Sequence, residues 1–147
     1  IIYVEGDNMS FNDQFNIEIK EIDEDNLILR CKSEKDFYNE INAIHGGVIM
    51  TLADDASGFI ASAKKYTAPT LSMTTHFLRP LMDTKYIYAK ARVIKRGSRI
   101  ITVDCEVYGD NEKIAAITRT EFAIINSNLE KSTSGDMAYS KGKYKKF

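Results

Sequence analysis

The sequence predicts an α+β fold in which a curled antiparallel sheet of five or six strands wraps around one long helix. Apolar residues recur at spacings of three and four between Ile44 and Lys65, a spacing that is typical of a helix. The other apolar stretches, up to about Ile125, alternate with polar residues, as strands do. Since one helix can cover only one face of such a sheet, we expect the sheet to curl around it.

The first half of the chain contains a strand pair and then the helix. Phe15, Ile17 and Ile19 alternate with polar residues, turn-forming residues follow at 23–26, and a second extended run begins at Leu27; this pattern predicts two paired strands. The helix has one broad apolar face. We expect the five residues that form it to lie in the core: Val48, Leu52, Ala56, Phe59 and Ala63.

The second half predicts four more strands after the break at Ala68-Pro69. Alternation covers residues 70–77, 86–93, 100–107 and 114–124. Tight-turn residues lie at 96–98 and 109–111, so we expect these strands to form an antiparallel meander.

The length of 147 residues suits one domain with its own core, which we place at residues 1–126. Residues 127–147 are polar and rich in lysine. They predict a loosely held, solvated tail, and binding of nucleic acid or lipid by the lysines is the alternative.

Charge and cysteine content exclude several classes of partner. Twenty basic and 21 acidic residues leave a net charge of −1, so we expect no nucleic-acid partner. No apolar run approaches the ~20 residues that cross a bilayer. Cys31 and Cys105 lack metal-ligand spacing, which predicts free thiols and no metal site. We therefore expect a cytoplasmic protein, or one of an organelle matrix if a leader has been removed.

Two adjacent glycines, Gly46 and Gly47, open the predicted helix. Glycine weakens a helix, but the absence of a side chain lets an oxygen atom approach free N–H groups at the positive helix end. Such a site can stabilise an oxyanion. Close packing or an unusual turn is the alternative reason for the pair.

Two acidic residues, Asp54 and Asp55, follow on the same helix. Both lie beyond the first turn, so interaction with the helix dipole does not explain them. A carboxylate near an oxyanion site can act as general base or nucleophile. Periodicity alone does not decide which acid has this role, and a solvated or hydrogen-bonded structural role is open for each.

The order of three motifs resembles the hotdog-fold acyl-CoA thioesterases of the phenylacetate-pathway (PaaI-like) type. The motifs are His45-Gly46-Gly47, then Leu52-Ala53-Asp54, then Phe77-Leu78-Arg79-Pro80. The resemblance runs from about residue 15 to 125. It implies hydrolysis of an acyl-CoA thioester without metal or cofactor, by a homodimer that often pairs into a homotetramer.

The resemblance also implies roles for single residues. Asp54 matches the helix acid, whereas Asp55 falls at a variable position of the family. Gly46 matches the glycine whose N–H polarises the carbonyl, with His45 before it in the turn. Two further positions match residues near the carbonyl and the attacking water: Asn39 and Thr70.

The substrate-binding candidates are glycines and cations. Coenzyme A carries phosphates, and in the family the nucleotide end often lies near the turn around Gly97 and Ser98. A solvated hairpin is the alternative for its cations, and a turn-supporting role is the alternative for Arg79. The full candidate set is Gly47, Arg79, Lys95, Arg96, Gly97 and Arg99.

The spacing of Gly46 and Asp54 limits how they can cooperate. Eight helical residues rise roughly 12 Å, so both groups of one chain cannot reach one carbonyl carbon. Antiparallel helices of two subunits would bring Gly46 of one near Asp54 of the other. Two other functions stay open: an acyl-CoA sensor that does not cleave its ligand, and a hydroxyacyl-thioester dehydratase or hydratase.

Overall fold

The computed structural model describes residues 11–64, 67–125 and 145–146, and these form one curled sheet around one α-helix. The helix α1 spans Gly46–Ala61, and short 3₁₀ turns cover Phe11–Gln14, Lys35–Phe37 and Ser62–Lys64. The strands are β1 Ile17–Ile22, β2 Asn26–Lys32, β3 Thr70–Phe77, β4 Tyr86–Arg96, β5 Ile100–Gly109, β6 Ile114–Ala123 and β7 Lys145–Lys146. The predicted fold class is confirmed, and β4 and β5 extend a few residues beyond the predicted ranges.

The strand order in the sheet is β3-β6-β5-β4-β2-β1-β7. The six long strands pair antiparallel, and β7 pairs in parallel with β1. The predicted meander holds for β4, β5 and β6 but is wrong for β3, which lies beside β6. Alternation identifies strands but not their neighbours, and residues 78–85 are long enough to carry the chain from β3 to β4 at another position in the sheet.

The helix packs on the concave face of the sheet and supplies the centre of the core. Its fully buried side chains include Leu52, Ala56 and Ile60, and they meet buried residues such as Leu29 and Phe122 from the strands. Leu52 therefore lies in the core as predicted. Three other residues of the predicted apolar face are partly buried and pack against this cluster at its margin: Val48, Phe59 and Ala63.

Three further observations concern the C-terminal residues, the two cysteines and the search for a membrane-spanning helix. The predicted tail, 127–147, lies outside the described residues apart from the backbone pairing of Lys145–Lys146 with β1. Cys31 and Cys105 are free and buried; burial raises the pKa of Cys31 to about 12 and raises that of Cys105 as well. Within the described ranges, no helix has the length and apolarity needed to span a bilayer.

Candidate active site

The first turn of α1 is capped by a histidine and leaves one backbone donor open. His45 is the N-cap, and its Nδ1 accepts a hydrogen bond from the Gly47 N–H at 2.9 Å. The N–H groups of Val48 and Ile49 donate to the His45 carbonyl. No group among the described residues accepts from the Gly46 N–H. This donor lies at the positive end of the helix and has no partner among the described residues, so a ligand oxygen could accept from it.

The cap also fixes the state of the histidine ring. Because Nδ1 accepts a hydrogen bond, the neutral ring must carry its proton on Nε2. A β-carbon on Gly47 would lie 3.0 Å from Nδ1 of His45, so this glycine serves the cap. The substrate contact expected for Gly47 has no separate structural signal.

Asn39 lies in the loop before the helix, and its side chain is held by that loop. Its Oδ1 accepts from the N–H groups of Ile41 and Ala43, each at 3.1 Å. These two bonds to Oδ1 fix the orientation of the Asn39 amide, and no described residue accepts a hydrogen bond from its Nδ2. Nδ2 is therefore a second unpaired donor, in addition to the Gly46 N–H.

Asp54 and Thr70 meet across the gap between α1 and β3. The Thr70 hydroxyl donates to Oδ1 of Asp54 at 2.9 Å. Asp54 is half-buried and Thr70, the first residue of β3, is exposed. The two residues that the resemblance singled out thus form one hydrogen-bonded pair, and the second carboxylate oxygen has no partner in the described part of the chain.

Asp55 leaves the helix toward the other flank. Nδ2 of Asn12 donates to its Oδ1 at 3.0 Å, and its Oδ2 is buried without a partner among the described residues. Burial, with a smaller contribution from the charge of Asp54, raises the pKa of Asp55 from 3.8 to about 6. The neighbouring acids thus occupy different environments, one open toward β3 and one enclosed beneath the N-terminal turn.

One stripe of the helix lies against β3, which is the edge strand of the sheet in the described part of the chain. Gly46, Met50 and Asp54 are spaced four residues apart, which places them on one side of the helix. At one end of the stripe, a β-carbon on Gly46 would lie 3.1 Å from Cζ of Phe77, the last residue of β3. At the other end, Asp54 meets Thr70, the first residue of the same strand.

The basic residues of the hairpin between β4 and β5 lie in different environments. The Arg96 guanidinium donates to the carbonyls of Ile60 and Ala61 at the end of α1 and forms an ion pair with Asp25 at 3.1 Å. It therefore satisfies carbonyls at the negative helix end, and the expected phosphate contact is corrected to a role in the fold.

Among the described residues, the side chains of Lys95, Arg99 and Arg79 have no such contacts. Lys95 and Arg99 are exposed near the hairpin tip, and the Gly97 N–H donates to the Ile100 carbonyl to close the turn. A β-carbon on Gly97 would lie 2.8 Å from that carbonyl oxygen, so the turn itself requires glycine. Arg79 is exposed directly after β3 and supports the turn only through its backbone N–H, which donates to Ala115.

Two contacts were missed by the sequence reasoning. Phe77 belongs to a quoted motif, but nothing in its spacing indicates contact with Gly46, 31 residues earlier. Asn12 lies before the first strand, and no local pattern links it to Asp55. Only the fold brings these residues together.

The comparisons with known proteins identify the family. A family model described as the thioesterase superfamily matches residues 41–116, from the loop before α1 into β6. The chain belongs to the thioesterase superfamily. Acyl-coenzyme A thioesterase PaaI of Escherichia coli is 26% identical to this thioesterase over 103 residues, covering 70% of the chain and 74% of that protein.

Solved structures agree with the thioesterase assignment at the level of the fold. The E. coli PaaI structure has a TM-score of 0.75 at 24% identity, covering 80% of this chain and 86% of that one. A Haemophilus influenzae thioesterase has a TM-score of 0.75 at 22% identity, covering 86% and 88%. A Streptococcus mutans protein bound to acetyl CoA has a TM-score of 0.72 at 18% identity, covering 84% and 97%. The curled sheet around one helix is thus the hotdog fold, and this thioesterase is PaaI-like.

Proposed function

We propose that this thioesterase hydrolyses an acyl-CoA thioester at a site formed by two copies of the chain. The Gly46 N–H of one copy would polarise the thioester carbonyl, and Asp54 of the other would act on the carbonyl carbon. The observation that carries the proposal is the helix stripe whose two ends, an open N–H and a carboxylate, both lie against β3.

The distance between the two ends argues for two copies. Gly46 and Asp54 are separated by roughly 12 Å along the helix axis, too far for one carbonyl to contact both. Within the described residues no strand pairs with the outer edge of β3, and Leu71, Phe77 and Leu78 on this edge are more than half exposed. An exposed apolar edge favours pairing with a second strand.

A twofold axis through the middle of this edge brings the complementary ends together. Antiparallel pairing of β3 with a second β3, centred between Met73 and Thr74, sets Thr70 of one copy opposite Phe77 of the other. The same axis passes near Met50, midway along the helix stripe. Asp54, hydrogen-bonded to Thr70, then approaches Gly46, which contacts Phe77.

The chemistry follows from the charges that develop during hydrolysis. Attack on the thioester carbon places negative charge on the carbonyl oxygen, and the Gly46 N–H at the positive helix end stabilises it. Nδ2 of Asn39 is available as a second donor. Asp54 acts either as nucleophile or as general base toward water. In both cases the hydroxyl of Thr70 orients the carboxylate or the attacking water.

The proposed substrate is an acyl-CoA. The relatives with that activity or ligand in their names are the E. coli acyl-coenzyme A thioesterase and the S. mutans protein bound to acetyl CoA. Lys95, Arg99 and Arg79 are exposed cations on this chain and could attract the phosphates of coenzyme A. We also propose that the dimers pair into tetramers.

The experiment compares two isosteric variants, Asp54→Asn and Asp55→Asn, by release of coenzyme A with a thiol reagent. Asp54→Asn should lower kcat by at least the ~10²-fold typical of general-base loss and should retain binding of a non-hydrolysable acyl-CoA analogue. Asp55→Asn should keep its turnover, because that side chain faces the opposite flank. Loss of activity in Asp55→Asn alone would refute the assignment, and wild-type binding without turnover would favour the sensor.

A further inference from the structure

Phe77 places an aromatic ring directly beside the open N–H donor. It is the last residue of β3 and pairs across the sheet with Ala116. A β-carbon on Gly46 would lie 3.1 Å from its Cζ and 3.3 Å from its Cε1, so the tip of the ring packs against the glycine. The residue is nevertheless 53% exposed.

We propose that Phe77 determines specificity in this reaction, by narrowing the space beside the carbonyl so that acyl groups unbranched at the carbon next to it are preferred. This inference rests on the proposed function, because it takes the Gly46 N–H as the donor to the thioester oxygen. It concerns the acyl side of that site and is independent of which acid attacks.

The argument is one of distances. A carbonyl oxygen that accepts from the Gly46 N–H must lie about 2.9 Å from that nitrogen. When the acyl side of the thioester faces the ring, the carbon next to the carbonyl lies within van der Waals reach, about 3.5–4.0 Å, of groups packed on the Gly46 Cα. The Phe77 ring is such a group. A methylene can lie along the ring, whereas a second substituent on the same carbon would have to displace it.

The ring gives a favourable contact as well as a limit. A slim acyl group that lies on the Phe77 ring makes apolar contact with it. The atoms that approach Gly46, Cζ and Cε1, are absent from leucine. Phe77→Leu therefore removes the steric barrier to branched acyl groups and retains an apolar residue on the strand.

Leu78 provides a matched control for effects on assembly. It follows Phe77 in the chain and is 52% exposed, and the three atoms nearest to a β-carbon on Gly46 belong to Phe77 and not to Leu78. Any change in selectivity that comes from a weakened β3 edge should appear equally in Leu78→Ala. A change that requires the aromatic ring should appear only at Phe77.

The test uses two thioesters with the same number of carbons, butanoyl-CoA and 2-methylpropanoyl-CoA, which differ only in branching next to the carbonyl. We expect wild type to favour butanoyl-CoA in kcat/KM. In Phe77→Leu and Phe77→Ala this preference should fall by roughly tenfold or more, the discrimination available to a packed pocket. Leu78→Ala should keep the wild-type preference, and circular dichroism with light scattering should verify folding and assembly of each variant.

Each outcome is decisive. A preference that stays unchanged in both folded Phe77 variants, or that falls equally in Leu78→Ala, would overturn the role of Phe77 and leave the proposed hydrolysis intact. A wild-type enzyme that releases no coenzyme A from these or longer acyl-CoAs would overturn the proposed function and the inference with it.

Discussion

Replacing Asp55 by asparagine should stabilise the protein at alkaline pH and make it no more stable than wild type at acidic pH. The carboxyl group is enclosed beside Asn12, one of its oxygens has no partner in the described residues, and its pKa is raised from 3.8 to about 6. The folded state therefore holds the Asp55 proton more tightly than the unfolded state does. This tighter proton binding adds its full contribution to the free energy of unfolding below pH 3.8, and the contribution is lost as pH rises through about 6.

The size of the effect follows from the difference between the two pKa values. One pKa unit corresponds to about 1.4 kcal/mol, so ionisation of Asp55 costs at most about 3 kcal/mol of the free energy of unfolding above pH 7. Asparagine has no such ionisation and keeps a carbonyl oxygen for the Asn12 donor. Its new N–H₂ group needs an acceptor, which offsets part of the gain. We expect about 1–2 kcal/mol at pH 8, or roughly 2 to 8 °C in Tm.

The measurement is urea unfolding of wild type and Asp55→Asn from pH 4 to pH 8, at one protein concentration because dimerisation would make stability depend on it. The difference between the two curves should grow between pH 4 and pH 7. Asp36→Asn, a change at an exposed acid, serves as the control. A difference independent of pH would refute the reasoning, because it would mean that Asp55 is not held protonated by the fold.

Three further predictions concern the site and its frame. Gly46→Ala should lower kcat by about 10²- to 10³-fold, because the new methyl group obstructs the approach of the thioester oxygen to the oxyanion donor. If the double variant with Phe77→Leu shows the same loss, the donor role is supported. If Phe77→Leu restores kcat, the glycine is needed only for packing against the Phe77 ring. Light scattering at micromolar concentration should find dimers or larger assemblies, and a fully active monomer would contradict the composite site. Arg96→Gln should lower Tm, because it removes the guanidinium from the helix-end carbonyls, with kcat/KM near wild type; a loss of acyl-CoA affinity without destabilisation would restore the phosphate role.

The sequence was sufficient for the elements and for the central pair of the candidate site. Periodicity located α1 and all six long strands, since a buried face imposes its period on the side chains. The motif order selected Asp54 and Thr70, and these two residues form a hydrogen bond in the structure. The position of β3 beside β6 could not be predicted, because pairing between distant strands leaves no mark in local alternation.

The role of Arg96 could not be predicted from the sequence for a related reason. Three cations near one turn look equivalent in the sequence, and only the distance from the hairpin to the end of α1 separates them. Arg96 reaches the carbonyls of Ile60 and Ala61, whereas Lys95 and Arg99 remain exposed. Charge patterning therefore predicts a basic surface but not which of its members the fold will use.

Asp54 and Asp55 show how one helix can place neighbouring acids in different environments. Successive residues leave a helix about 100° apart, and here Asp54 meets Thr70 of β3 whereas Asp55 meets Asn12 of the N-terminal turn. On the β3 flank the carboxylate meets one hydroxyl and keeps an oxygen available, as a nucleophile or base requires. On the other flank the carboxylate is enclosed beside Asn12 and burial raises its pKa to about 6, so access and not charge separates it from Asp54. Because the two acids differ in setting and not in type, exchanging their environments would require moving β3, and this difference in setting is what favours Asp54 in the proposed mechanism.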